Sequence, residues 1–202
     1  MPARLMRTNF QQGFTLIEVL VALLILSFGM LGLIGMQAFA LQFNREARIY
    51  SQATNYAREL AEMMRGNNQV ATNTTTANNP YLFAASSTLS ITSPPDCLKS
   101  VSGTGCTNST DSAKAQMSDW LSRVSTALPG ARVAICFDKT PYDANGLPKW
   151  NCTNDGDTLL IKMGWSSRST NSTDTDDNAI IKAANAAPQI VIPVTGGNPF
   201  GM

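Results

Sequence analysis

The sequence predicts an α+β protein. A long N-terminal α-helix, apolar enough in its first half to span a membrane, packs on a C-terminal antiparallel β-sheet domain with a short extra helix and long polar loops. Three observations predict this fold class. Residues 14–36 are almost entirely apolar, no proline interrupts residues 14–65, and the segments 131–137 and 158–165 place apolar residues at alternate positions.

The first element is the apolar run 14–36, whose 23 residues contain a single charge, Glu18. As a helix it would be about 35 Å long, which is sufficient to cross the hydrocarbon core of a bilayer. The 13 residues before it carry Arg4 and Arg7 and no acid. The positive-inside tendency therefore predicts a cytoplasmic N-terminus and a single pass, with everything after Met36 on the far side.

The second element continues the helix over residues 37–65. Its apolar residues recur at spacings of three and four, which is typical of a helix with one buried face. Gly66 and the two following asparagines supply an ending signal. The stripe that is predicted to pack against the domain consists of Phe39, Phe43, Ala47, Tyr50, Ala53, Ala57, Leu60 and Met64.

The remaining elements lie in residues 66–202. A short amphipathic helix is predicted over 111–128, where Pro129 and Gly130 end it. Strands are predicted over 131–137, 158–165 and 189–194, and Pro193 favours an edge position for the third of these. The segments 67–79, 100–112 and 166–178 are rich in Ser, Thr, Asn, Gly and Asp and are predicted as loops.

The amino-acid composition excludes several classes of function. The chain has 15 Lys and Arg, 14 Asp and Glu and no histidine, so its net charge is +1. The absence of histidine excludes imidazole acid–base chemistry and imidazole metal ligands, and the near-neutral charge removes the electrostatic case for nucleic-acid binding. We therefore expect no enzyme, no catalytic residues, no cofactor, no metal site and no nucleic-acid partner.

Four cysteines, all placed beyond the apolar run, predict export to an oxidising compartment. Four cysteines allow three pairings, and sequence alone does not choose among them. We favour the two local pairs, Cys97 with Cys106 and Cys136 with Cys152, the second of which would clasp the loop between two strands. No C-x-x-C spacing supports a metal site.

Glu18 is the unusual residue of the apolar run. A carboxylate inside a membrane helix costs about 2.5–3.5 kcal/mol on insertion scales and is a functional candidate by default. Cleavage between Gly13 and Phe14 would create an α-amine four residues before Glu18, and this amine could neutralise the carboxylate within its own helix or on a neighbouring one. The alternative is an acid that is tolerated near a helix N-terminus by the macrodipole.

The run Gly13-Phe14-Thr15-Leu16-Ile17-Glu18 resembles the prepilin leader motif of type IV pilins and type II secretion pseudopilins. The resemblance implies a pilin-like fold, cleavage after Gly13 by prepilin peptidase, N-methylation of Phe14, and a role for Glu18 in docking the subunit into a growing fibre. It divides the chain into a leader peptide (1–13), a transmembrane and fibre-core helix (14–36), its amphipathic continuation (37–65) and a periplasmic globular head (66–202).

The extended run 13–37, and especially residues 27–37, is further similar to the type IV pilus modification protein (PilV) family. That resemblance implies a minor type IV pilin that primes or modifies pilus assembly for adhesion and twitching motility. Its partners would be other minor and major pilins, prepilin peptidase, the inner-membrane assembly platform and inner-membrane lipid. It would reside in the bacterial inner membrane before assembly and in the pilus fibre at the cell surface afterwards.

Four alternatives stay open at this point. A type II secretion minor pseudopilin shares the N-terminal motif, and a membrane-anchored periplasmic binding protein or enzyme shares the apolar segment. For the N-terminus alone, a general secretory signal or an ordinary membrane anchor would explain the apolar run. The anchor does not explain Gly13 or Glu18, and the secretory signal lacks an obvious A-x-A cleavage site.

Overall fold

The computed structural model describes residues 13–86, 89, 97, 105–169, 173–175, 179–183 and 186–194. Residues 1–12 of the predicted leader, with Arg4 and Arg7, lie outside the described residues. Residues 1–45 and 46–202 form two separate compact units. A long N-terminal helix, an antiparallel sheet and a short extra helix confirm the predicted α+β fold class.

Helix α1 spans Leu16–Gly66, 51 residues, close to the predicted 14–65. It ends where the N–H of Asn67 donates to the carbonyls of Met63 and Met64, at 3.1 and 3.2 Å, and the chain turns away. Burial along the predicted apolar stripe begins only in its second half, and Phe39, Phe43 and Tyr50 are exposed. The members of the stripe that are buried are Ala53, Ala57, Leu60 and Met64.

The polar segment 67–79 is more ordered than its composition predicts. It begins with a one-turn helix, α2 (Asn68–Ala71), and is fixed by the fully buried side chain of Asn79. The Asn79 amide nitrogen donates to the carbonyls of Ala71 and Asn73, at 3.0 and 2.8 Å, and its oxygen accepts from the Tyr81 N–H at 3.1 Å. Because a buried amide is costly unless it is hydrogen-bonded, these three bonds hold the segment in one conformation.

Helix α3 spans Ser109–Ala127, against the predicted 111–128. Asn108 caps its N-terminus, because the side-chain oxygen of Asn108 accepts from the Asp111 N–H at 2.8 Å. The helix ends at Leu128, and the chain then reverses at Gly130, whose φ of +58° favours glycine. The apolar face predicted for α3 is buried, with Trp120 at its centre.

Four antiparallel strands form the main sheet in the order β1-β2-β3-β6. Strands β2 (Arg132–Phe137), β3 (Leu159–Gly164) and β6 (Ile190–Val194) were predicted to within one residue at each end. Pro193 lies in β6 at the edge of the sheet, as predicted. The register pairs Val133 with Met163 and Ile135 with Ile161, so the apolar faces of β2 and β3 coincide.

Three short strands were not predicted. β1 (Phe83–Ser86) pairs with β2 through an irregular register, and β4 (Ser167–Arg168) and β5 (Ile180–Ile181) form a separate two-stranded ladder. β1 and β5 contain no alternation of apolar and polar residues, and β4 falls within a segment predicted as a loop. Two- to four-residue strands are too short to give a period-2 signal, which is why the sequence did not predict them.

The hydrophobic core lies between the C-terminal part of α1, α3 and the inner face of the main sheet. α3 supplies Trp120, whose indole N–H donates to the Tyr56 carbonyl of α1 at 2.9 Å. One turn later, Arg123 makes a bidentate salt bridge with Glu59 of α1, with N–O distances of 2.9 and 2.6 Å. These polar contacts fix α3 against residues 56–59 of the long helix.

The outer face of the sheet is covered by the connection between β2 and β3. Trp150 of this connection packs on Gly164 of β3, where an added Cβ would come within 2.8 Å of the indole ring. The Arg132 guanidinium stacks on the same ring at 4.4 Å from its centre, and the Trp150 N–H donates to the Ala186 carbonyl at 2.6 Å. Glycine at position 164 is therefore a packing requirement of the tryptophan.

Two disulfides join the cysteines in the local pattern. Cys97 is bonded to Cys106 beside the start of α3, with the Cα atoms 4.7 Å apart. Cys136 is bonded to Cys152 across the β2–β3 connection, with the Cα atoms 6.3 Å apart. The second bond ties Cys136, the second-last residue of β2, to Cys152 in the connection that follows.

Candidate processing and assembly site

The residues predicted to be cleaved lie just outside α1. Gly13 and Phe14 precede the helix, and the Thr15 carbonyl accepts the first helical hydrogen bonds from the N–H groups of Glu18 and Val19, at 3.1 and 3.4 Å. Thr15 thus occupies the cap position, and its neighbours on the N-terminal side are free of helical hydrogen bonding. Phe14 is 84% exposed, so the peptide bond between Gly13 and Phe14 is accessible.

Glu18 lies in the first turn of α1 and is exposed. A carboxylate at this position interacts favourably with the N-terminal end of the helix dipole. No lysine or arginine in the described part of the chain forms a salt bridge with it. Cleavage before Phe14 would create an α-amine near this carboxylate, a cation that the uncleaved chain does not have there.

The helix that follows presents apolar side chains on all sides. From Leu16 to Phe43 its large apolar residues are between 49 and 77% exposed. Its most apolar 18-residue window has a mean hydropathy of 2.6 and is not buried by any other part of the described chain. Among the described helices, α1 alone meets the length and composition required to cross a membrane.

A family model for the prokaryotic N-terminal methylation motif matches residues 8–34. The chain carries a prepilin-type motif. The matched range includes Gly13, Phe14 and Glu18, so the motif indicates a prepilin substrate of the pilin or pseudopilin type and supports a type IV pilin-like protein. It implies processing by prepilin peptidase and assembly with other pilins, and together with the apolar helix it indicates membrane anchoring. No curated protein and no solved structure matches the chain.

The head contains one cluster of potential metal ligands among its described residues. The sulfur atoms of Cys136 and Cys152 and a carboxylate oxygen of Asp138 all lie within 4.8 Å of one another. The two sulfurs are bonded to each other, and the carboxylate is bound by Lys162 at 2.5 Å. The cluster as it stands therefore offers a metal no thiolate.

The Lys162–Asp138 ion pair was not predicted from the sequence. Both side chains are fully buried, and the Asp138 carboxylate also accepts from the Thr140 N–H and the Thr153 hydroxyl, at 3.0 and 3.1 Å. Burial acts to raise the pKa of Asp138, but the hydrogen bonds from Lys162, Thr140 and Thr153 and the charge of Lys162 outweigh it, so this pKa lies below its usual value. The one sequence feature that could have indicated this ion pair is the lysine in the otherwise apolar strand LLIKMG.

A cavity of about 750 Å³ lies beside the disulfide, between the segment 74–76, β1, β2 and the β2–β3 connection. Phe83, Phe137 and Trp150 contribute its aromatic walls, and threonine and asparagine side chains its polar ones. The described lining contains no acidic or basic side chain. A ligand held there would meet no group suited to general acid–base catalysis.

The lowered pKa of Asp138 predicts how stability depends on pH. The unfolded chain binds the proton near pH 3.9, whereas the folded chain binds it only at lower pH, so the stabilisation is complete above about pH 4 and is lost as the pH falls through the folded pKa. We expect the wild-type chain to exceed Asp138→Asn in unfolding free energy at pH 6, and this difference to shrink below about pH 4. Urea unfolding at several pH values would measure it.

The matched control is Asp157→Asn, which removes an exposed carboxylate of the same loop region. We expect its difference from wild type to be small at every pH. A difference for Asp138→Asn that does not change between pH 6 and pH 3 would contradict the prediction.

Proposed function

We propose that the chain is a minor type IV pilin of the type IV pilus modification protein (PilV) kind. It is a non-enzymatic structural subunit that enters the pilus and primes or modifies its assembly, and so serves adhesion and twitching motility. The observation that carries this proposal is the prepilin-type motif at residues 8–34, joined to a helix whose apolar surface nothing in the described chain covers. The similarity of residues 27–37 to the modification-protein family supports the choice among prepilin substrates.

The apolar surface of α1 accounts for two successive locations. Before assembly, inner-membrane lipid covers the helix and the head stands in the periplasm. On assembly, helices of other minor and major pilins replace the lipid, so the same side chains stay out of water throughout. Extraction from the membrane by the assembly platform then exchanges one apolar environment for another.

Glu18 forms an ion pair with a neighbouring subunit during this exchange. Cleavage by prepilin peptidase after Gly13 exposes the amine of Phe14, and a methyl group on that amine leaves its positive charge in place. The amine of one subunit and the Glu18 carboxylate of its neighbour attract each other strongly in an apolar surrounding. Pairing them removes two isolated charges from the fibre core and fixes the axial position of the entering subunit.

The experiment that tests the proposal examines the chain in its native cell. We expect mass spectrometry to find it in sheared pili, beginning at Phe14 and carrying one N-methyl group, and we expect a deletion strain to lose pili. Gly13→Val should retain the leader, whereas Gln11→Val, a matched change in the leader, should be processed normally. A wild-type chain that keeps residues 1–13 would overturn the proposal.

The type II secretion pseudopilin is the second candidate, because it shares the prepilin-type motif. The same deletion strain separates the two functions. Normal pili together with a loss of protein export across the outer membrane would favour the pseudopilin. A chain that is processed but causes neither defect would favour a membrane-anchored periplasmic binding protein or enzyme.

A further inference from the structure

The buried ammonium of Lys162 binds two separate parts of the connection between β2 and β3. Its Nζ donates to the Asp138 carboxylate at 2.5 Å, to the Lys149 carbonyl at 2.8 Å and to the Asn151 carbonyl at 3.1 Å. Three donors therefore meet three acceptors, which is the full capacity of a lysine ammonium. We call this arrangement of Lys162, Asp138 and the two carbonyls the Lys162 latch.

The acceptors of the latch lie next to the two cysteines of the connection. Asp138 follows Cys136 by two residues, and Asn151 immediately precedes Cys152. One atom, Lys162 Nζ, thus contacts a residue close to each of the two cysteines. The two bonded sulfur atoms and an Asp138 oxygen lie within 4.8 Å of one another.

The backbone of Lys162 is held by the two neighbouring strands of the sheet. Lys162 belongs to β3, outside the loop that Cys136 and Cys152 close, and β3 is held between β2 and β6. On the outer face of the sheet, Ala134 is its neighbour in β2 and Val191 its neighbour in β6. Because a buried ammonium without acceptors is very costly, the loop is driven to satisfy Lys162 whether or not the sulfurs are bonded.

We propose that Lys162 is a positioning residue for disulfide formation: the latch forms in the reduced chain, brings Cys136 and Cys152 together, and selects their pairing over pairings with Cys97 or Cys106. With oxidised glutathione as oxidant, one cysteine thiolate attacks the glutathione disulfide and releases one glutathione. The second cysteine then attacks the mixed disulfide and releases another. Two protein thiols lose two electrons and two protons to one oxidised glutathione, which becomes two reduced glutathiones. Lys162 exchanges no electron.

This inference is independent of the pilin role and has its own internal reference. The Cys97–Cys106 bond lies beside α3, where the Cys97 sulfur is 4.0 Å from the Asp111 carbonyl oxygen. No atom of the Lys162 latch takes part in this contact. Any change that unfolds the whole head weakens both disulfides. A change that acts through the latch weakens only Cys136–Cys152.

The test uses the full-length chain in detergent micelles, reduced, unfolded and then refolded in buffers of varied glutathione ratio. Differential alkylation and peptide mass spectrometry measure the fraction of each cysteine pair that is oxidised. The variants are Lys162→Met and Lys162→Met/Asp138→Asn, since the second leaves no unpaired carboxylate. The matched control is Lys149→Met, because Lys149 contributes only its backbone carbonyl to the latch.

For both Lys162 variants we expect Cys136–Cys152 to require a glutathione buffer about tenfold more oxidising, which is typical of coupling between linked sites, and mispaired cysteines to accumulate. Among chains that are not mispaired, Cys97–Cys106 should form at the same glutathione ratio in every variant, and Lys149→Met should match the wild type. Three outcomes would overturn the proposal: an unchanged Cys136–Cys152 bond in Lys162→Met, an equal shift of both disulfides, or a return to wild-type oxidation in the double variant.

Discussion

Glu18→Ala is expected to remove the chain from fibres while leaving it processed and inserted in the membrane. We expect cleavage to be retained because the bond before Phe14 precedes the helix, whereas Glu18 lies in its first turn. Membrane insertion should improve, because a carboxylate in a membrane helix is unfavourable. Entry into the fibre should fail, because the amine of the neighbouring subunit would then be buried without a partner.

We expect the ratio of chain in sheared pili to chain in the membrane fraction to fall by about tenfold or more, as measured by quantitative immunoblotting. Glu46→Ala is the matched control, because Glu46 is an exposed glutamate of the same helix. Glu18→Gln separates charge from size, since it keeps the shape of the side chain and should fail like alanine. Wild-type incorporation of Glu18→Ala would remove the assembly role of this carboxylate.

Trp120→Ala is expected to cause the largest loss of stability in the head. Trp120 is fully buried at the centre of the core, and its removal opens a cavity between α3 and the long helix. Large-to-small changes of this kind cost about 3–5 kcal/mol. For a chain of this size, that loss lowers the midpoint of thermal unfolding by roughly 10 °C or more.

Trp120→Phe distinguishes the two contributions of the indole. It keeps an aromatic ring but loses the N–H that donates to the Tyr56 carbonyl. We therefore expect the unfolding free energy to fall by about 1 kcal/mol for the hydrogen bond, with a further small loss for the smaller cavity. Arg123→Ala should cost less than either change, because the Arg123–Glu59 pair is more than a third exposed and such pairs contribute about 0–1 kcal/mol. Near-ultraviolet circular dichroism of the full chain during heating would rank the three variants, and equal losses for all three would contradict this order.

The parts of the fold that were predicted correctly share one property, a repeated pattern over many residues. The helical spacing through residues 14–65 and the alternation in β2 and β3 reflect which face of each element is buried. The prepilin-type motif was recognisable for a related reason, because its chemistry depends on a few adjacent residues. Gly13, Phe14 and Glu18 lie within one short segment, so their order in the chain nearly determines their arrangement.

The features that were missed depend on contacts between distant segments. Alternation in β3 indicates only that Lys162 lies opposite the face of Ile161 and Met163. Its burial follows from the course of the β2–β3 connection, which folds back over the sheet and carries Asp138 with it. Asn79 is similar, because low-complexity composition predicts a surface loop, and only the tertiary fold places that amide among three hydrogen-bond partners.

The last strand of the main sheet, β6, lies at a sheet edge, and this edge affects how neighbouring heads interact. Among the described residues, β6 pairs only with β3, and an open sheet edge of this kind invites another chain to add a strand. Pro193 interrupts the row of N–H groups there, so a visiting strand cannot continue a regular ladder along β6. For the membrane-anchored form proposed above, we therefore expect neighbouring heads to be hindered from joining through their β6 edges.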